Sequence, residues 1–117
     1  MDNTILLKSK KFAVRIIKFY KYLNDQKHEH IISKQLIRCG TSIGANAIES
    51  RNAQSRSDFT SKLNIALKEA DETAYWLDLL HSTDYLDDNM FSSLNNDCQE
   101  LISILMSIIK RLKKKEN

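Results

Sequence analysis

Gly40 and Gly44, the only glycines among 117 residues, stand one helical turn apart inside a segment whose apolar residues recur at helical spacing: Ile32, Leu36, Cys39, Ile43 and Ala47. Two interior glycines cost a helix about 2 kcal/mol relative to alanine. Something that only glycine permits has to offset this. On one face of a helix, that is a shallow strip where a neighbouring helix or a bulky aromatic presses close. The chain has no proline, and it lacks the regularly spaced turn clusters that a sheet of hairpins requires. Together these features imply an all-α protein. A length of 117 residues suits a single domain, 1–117, with one hydrophobic core.

The periodicity resolves four amphipathic helices. The first begins near Asn3 or Thr4 and runs to about Leu23, with Phe12, Ile16, Phe19 and Leu23 on one face. The second covers roughly His30 to Asn52. In the following turn, Ser55 and Asp58 have capping-box spacing for a third helix from about Arg56 to His81, whose core row is Phe59, Leu63, Ala66, Ala70 and Leu77. Asp87 or Asp88 caps the last helix, which runs to about Lys115 with Phe91, Leu94, Cys98, Leu101, Leu105, Ile108 and Leu112 in three-four alternation. Ile102, Ile104, Met106 and Ile109 widen its apolar surface beyond what one bundle core uses, and the surplus is expected to face another subunit. Short connections make the architecture an antiparallel up-down-up-down four-helix bundle.

A polar row accompanies the glycines: Arg38, Ser42, Asn46 and Glu49 on the second helix, with Glu69, Glu72 and Trp76 on the third. Folding the hairpin about residues 53 and 54 brings Arg38 level with Glu69 and Gln35 level with Glu72. The expectation is a partly buried Arg38–Glu69 ion pair whose loss through Glu69→Ala costs about 3–5 kcal/mol.

The net charge of +3 hides a polarised molecule. The bundle topology gathers Lys8, Lys10, Lys11, Arg51, Arg56, Lys110, Arg111, Lys113, Lys114 and Lys115 at one end. Asp25, Glu29, Asp78, Asp84, Asp87 and Asp88 collect at the other. A basic pole suits phosphate. The competing reading is a solvated tail whose lysines complement a helix dipole.

Cys39 and Cys98 sit in apolar helical patterns and read as buried thiols in a reducing cytoplasm, not as a disulfide. The stretch MDNTILLKSKKF has three consecutive apolar residues before its lysines, too few for a signal peptide or a membrane span. No phosphate-binding Gly-rich loop, Ser-His-Asp order or Cys-x-x-Cys motif is present. His28, His30 and His81 fall at the acidic end without the Glu-x-x-His pairs of bundle metal sites. The expectation is a non-enzymatic protein without cofactor or metal.

The run from Arg38 to Leu80, RCGTSIGANAIESRNAQSRSDFTSKLNIALKEADETAYWLDLL, resembles the four-helix bundle proteins encoded by intervening sequences in bacterial 23S rRNA genes. The accessory variability determinant of diversity-generating retroelements belongs to the same family. Arg38 with SIGANAIES, the Phe59 to Leu63 approach and ALKEADETAYWL carry the likeness, which continues through the TDYL turn and the last helix. Ser50 stands where members commonly have glycine. The resemblance implies a homopentameric barrel with accessible positive charge and no catalytic centre, and its retroelement members look like nucleic-acid-binding partners of a reverse transcriptase. The family's patterned positions fall here on Arg38, Ser42, Asn46, Glu49, Glu69, Glu72 and Trp76, read as structural. Two functional readings follow. One is an oligomer that binds nucleic acid, RNA favoured, through the basic pole. The other is a protein-interaction module, such as a reverse-transcriptase accessory subunit, with incidental charge. Neither involves a membrane.

Overall fold

The computed structural model describes residues 3–116, which form α1 (Thr4–Asp25), α2 (Ile32–Arg51), α3 (Arg56–Ser82) and α4 (Asp88–Glu116). Two of the expected caps are present. The Ser55 hydroxyl accepts the Asp58 N–H at 3.0 Å and the Asp58 carboxylate accepts the Gln54 N–H at 3.3 Å, so the turn stops and α3 starts within four residues. The Asp87 carboxylate accepts the Met90 N–H at 2.8 Å at the start of α4. Asn3 stands at the N-cap of α1, and its side chain makes no capping hydrogen bond among the described residues.

The α1–α2 connection differs from expectation. α1 continues through Asn24, whose amide donates to the Tyr20 carbonyl and to the Ser33 hydroxyl. The chain then reverses through His28, at φ 53°, and delivers Glu29 to the start of α2. Its carboxylate accepts the N–H groups of Ile31, Ile32 and Ser33 at 3.2, 2.9 and 2.7 Å. Glu29 is only 7 % exposed, so this acid serves α2 and adds little surface charge at its end of the molecule.

Neighbouring helices are antiparallel. Contacts between them run to lower numbers on one helix as they rise on the other, from Lys8–Glu100 to Arg15–Asp97 and from Arg56–Leu112 to His81–Asp88. α1–α3 and α2–α4 are the diagonals, with no Cα of one within 8 Å of the other. The rod measures 49 × 22 × 20 Å. The glycine strip faces α1, and a Cβ built on Gly40 would lie 2.9 Å from Cγ2 of Ile16, while one on Gly44 would lie 3.2 Å from the Ser9 hydroxyl. Ser50 is buried and donates its hydroxyl to the Ala47 carbonyl at 2.7 Å, so the helix end survives the missing glycine.

The expected rows of α1, α2 and α3 form the core, with Ile32 and Phe59 at its margin. α4 departs from its expected register. Ile109 is buried and Ile108 only partly so, while Ile102 and Ile104 pack against the core margin, which leaves Met106 as the exposed member of the supposed surplus. A strict three-four pattern drifts by about 20° per heptad on a straight helix, and the drift moves the seam by one residue. Cys39 and Cys98 are free and buried. Because they belong to diagonal helices more than 8 Å apart, a disulfide is sterically excluded. Burial pushes the Cys98 thiol up to about 12, with Cys39, Asp71 and Asp97 adding to it. Burial also raises Cys39, against a hydrogen bond with Thr73. Among the described residues, no helix is long and apolar enough to cross a membrane.

Candidate nucleic-acid interface

Helix ends build the basic pole. Arg51 closes α2, the Ser55 cap starts α3 at Arg56, and α4 ends in Lys113, Lys114 and Lys115, whose charge complements the carbonyl end of the helix. The Arg56 guanidinium donates to the Leu112 carbonyl at 3.2 Å, tying the start of α3 to the last turns of α4. Arg51, Arg56, Lys110, Arg111 and the three terminal lysines therefore come together.

Lys8, Lys10 and Lys11 are not level with them. Lys8 pairs with Glu100 at 3.0 Å, and Glu100 precedes Lys110 by ten residues, so these α1 lysines sit about 15 Å up the side of the rod. The expected cap of charge is a cap with a strip rising along α1. Lys10, Lys11, Arg51, Lys110, Arg111 and Lys113–Lys115 are exposed and have no ion partner among the described residues. At the far end the acids are partly consumed. Glu29 and Asp87 cap helices, and Asp88 accepts from His81 at 2.7 Å.

The polar row separates into two kinds of residue. Arg38 reaches across to α3, 3.4 Å from Glu69 and in closer contact with Glu72, while Gln35 accepts from Arg38 and not from α3. Burial opposes the Arg38 charge, but the hydrogen bond and charge of Glu72, with Glu69 behind them, leave its pKa raised. The Arg38 side chain is 48 % exposed and that of Glu69 16 %, so the pair is partly buried, as expected, but on its Glu69 side only, and Glu72 is the closer partner of the exposed guanidinium. Its loss then costs about 1 kcal/mol, not 3–5. Lys62 and Glu49 stand 3.7 Å apart across the same hairpin. Ser42 and Asn46 instead donate to carbonyls of their own helix, at 2.7 and 2.8 Å. Trp76 packs edge-on against Tyr75, and its indole N–H is buried without an acceptor among the described residues.

Sequence reasoning missed Arg15. It donates to Asp97 at 2.7 Å and to the Ser93 hydroxyl at 2.9 Å, bridging α1 to α4 across some eighty residues of chain, a separation at which no local pattern exists. Beside this bridge the α1–α4 seam opens into a cavity of about 350 Å³. Among the described residues, no three His, Cys, Asp or Glu side chains converge on a possible metal position.

Four antiparallel helices around one apolar core, with unpaired cations at one end, define an all-α bundle protein. The chain belongs to the 23S rRNA-intervening sequence protein family, whose model matches residues 1–107. Lys110 to Lys115 thus lie beyond the matched region. Among solved structures, the chain is similar to a protein of unknown function from the S23 ribosomal protein family of Bacteroides thetaiotaomicron VPI-5482. The two are 53 % identical over 92 % of this chain and 99 % of that one, with a TM-score of 0.91. No curated protein matches.

Proposed function

We propose that this chain is a non-enzymatic, oligomeric helical-bundle protein that binds structured RNA or other nucleic acid electrostatically through its basic end. One observation carries the reading: uncommitted cations from α2 and α4 gather at one end of a 49 Å rod, and the lysine strip of α1 leads away from it. Phosphate contacts of this kind supply affinity with little base readout. The family description, which refers to 23S rRNA, favours RNA and a cytoplasmic setting. The homopentamer is carried over from the family resemblance. Exposed Leu7, Val14 and Ile17, in one row on the outer side of α1, are apolar surface that such an assembly would cover.

The test is a measurement of mass in solution with and without a panel of RNA and DNA, titrating salt. The expected result is binding that weakens steeply with salt and fails when Lys113, Lys114 and Lys115 are all changed to Glu. Salt-independent binding counts against it. The same exposed apolar row supports the second reading, a protein-interaction module such as a reverse-transcriptase accessory subunit. That reading predicts no gel shift at near-physiological salt and a protein partner recovered by pull-down.

A further inference from the structure

The turn between α2 and α3 does more than reverse the chain. Together with the first turn of α1 it walls a cavity of about 250 Å³ at the basic end of the rod. Leu6 and Phe59, both at the margin of the core, form its apolar side. Ser50, 1 % exposed, is the most deeply buried residue of its lining, and Asn3, Arg51 and Ser55 supply the polar side. None of Leu7, Val14 and Ile17, the row that an assembly would cover, belongs to the lining. Ser55 directly precedes Arg56, which reaches the Leu112 carbonyl, so the cavity adjoins the terminal cations of α4.

The hydrogen-bonding capacity left in this cavity is mainly that of donors. The Ser50 hydroxyl gives its proton to the Ala47 carbonyl. The Ser55 oxygen accepts the Asp58 N–H, which leaves its O–H to donate. Among the described residues, Asn3 makes no capping hydrogen bond and the exposed Arg51 has no ion partner. No acid is in the lining. Glu49 and Asp58, the described acids nearest to Arg51 and Ser55 along the chain, are engaged elsewhere: Glu49 faces Lys62 at 3.7 Å, and Asp58 accepts the Gln54 N–H at 3.3 Å. A guanidinium fork, a hydroxyl and an amide around an acid-free pit complement an anion with several acceptor oxygens. On a nucleic acid strand the terminal phosphate fits best, because it carries about −1.5 to −2 charge on three free oxygens, against the single charge of a bridging phosphate. A strand end can also enter a pit walled by three chain segments without having to leave it again.

We propose that the cavity between the start of α1 and the α2–α3 turn seats the terminal phosphate of a nucleic acid strand, held by Arg51, Ser55 and Asn3, with its sugar against Leu6 and Phe59. This inference rests on the nucleic-acid reading above and adds to it the feature recognised, a phosphorylated strand end. The neighbouring cations of α4 then meet the bridging phosphates that follow. Charge-assisted hydrogen bonds to a phosphate change affinity by about ten- to a hundredfold, whereas cations that track bridging phosphates do not distinguish one strand end from another.

The experiment uses the full chain and one RNA stem-loop with unpaired ends, at one salt concentration, in three forms: 5′-phosphate, 3′-phosphate, and hydroxyls at both ends. Fluorescence anisotropy with a dye in the loop reads affinity. At least one phosphorylated form is expected to bind about tenfold more tightly than the hydroxyl form, and which one does so identifies the end that is seated. The quantity compared between variants is this ratio. Arg51→Gln is expected to bring it to within about twofold of unity, and Asn3→Ala to lower it. Both positions are exposed, and a thermal melt checks that the variants fold. Arg111→Gln removes a cation outside the cavity, and the Lys113, Lys114, Lys115 triple change to Glu removes three; each is expected to weaken all forms alike and keep the ratio. If the three forms bind equally while the triple variant still weakens them, the cavity assignment is wrong and the basic-end reading stands. If Arg111→Gln lowers the ratio as much as Arg51→Gln, the whole end feels the added charge and the assignment is also wrong. If no form binds, both readings fail.

Discussion

Replacing Gly40 by alanine sets two effects of opposite sign against each other. Helix propensity favours alanine by about 1 kcal/mol. The new Cβ, however, would sit 2.9 Å from Cγ2 and 3.0 Å from Cγ1 of Ile16, a fully buried residue in the middle of the core row of α1. Both atoms branch directly from the Ile16 Cβ, so rotating the side chain's end relieves neither contact. Forcing a methyl into such a site costs about 1–3 kcal/mol. The net expectation for Gly40→Ala is destabilisation by about 1 kcal/mol, despite the better helix former. Ile16→Ala removes both contacting atoms and by itself costs about 2–5 kcal/mol. On that background, Gly40→Ala has no clash to meet and fills part of the vacated space, so its sign reverses to a gain of about 1 kcal/mol. The coupling between the two substitutions is then about 2 kcal/mol, within the range measured for residues in contact. Urea unfolding followed by far-ultraviolet circular dichroism, at one protein concentration, reads the four corners of the cycle through their midpoints at constant m. Two results refute the reasoning: a Gly40→Ala variant more stable than the parent, or effects that add to within about 0.5 kcal/mol. Gly44→Ala is the control. Its nearest neighbour is the Ser9 hydroxyl at 3.2 Å, which can rotate away, so its effect should be the smaller of the two.

Two further expectations concern buried polar chemistry. Cys98 is raised in the folded chain to about 12, above an unfolded thiol near 8.5, so the folded state holds its proton where the unfolded state has lost it. That stabilisation is complete below about pH 8.5 and is lost as pH rises toward 12, at up to about 1.4 kcal/mol per pH unit. Denaturation midpoints between pH 7 and 10 should therefore fall at the alkaline side, and Cys98→Ala should flatten the fall; an unchanged slope in that variant assigns the effect elsewhere. Glu29→Ala leaves the first N–H groups of α2 without their carboxylate and should lower stability by about 1–3 kcal/mol, with Glu29→Gln retaining part of it. A thermal midpoint of Glu29→Ala within a degree of the parent would show that water serves those groups equally well.

The helices, their order and their inward faces were legible in residue spacing, because amphipathic periodicity is a local property. So were the Ser55 and Asp87 caps, whose partners lie three residues along the chain. Glu29 escaped because a carboxylate before a helix is common, and only the left-handed turn at His28 aims this one at three N–H groups. The basic residues toward one end are plain in the sequence, but their levels along the rod are not. A linear count puts the start of α1 beside the end of α4, whereas the Lys8–Glu100 contact shows how far the last turns of α4 extend past it.

By itself, then, the amino-acid sequence determined an all-α chain, four helices with their core rows, a glycine strip that demands a close neighbour, and a surplus of cations toward one end. Each is decided within a few turns of helix, where spacing translates directly into facing. Tertiary structure alone decided that α1 fills the strip, that Arg38 spends its charge mainly on Glu72 in a half-exposed position, and that the core seam of α4 shifts to Ile109. It also decided that α1 and α4 are spanned by Arg15 and leave a cavity beside it. These depend on the rotation and stagger of helices about their axes, which packing sets between segments distant in the chain and which no local pattern encodes.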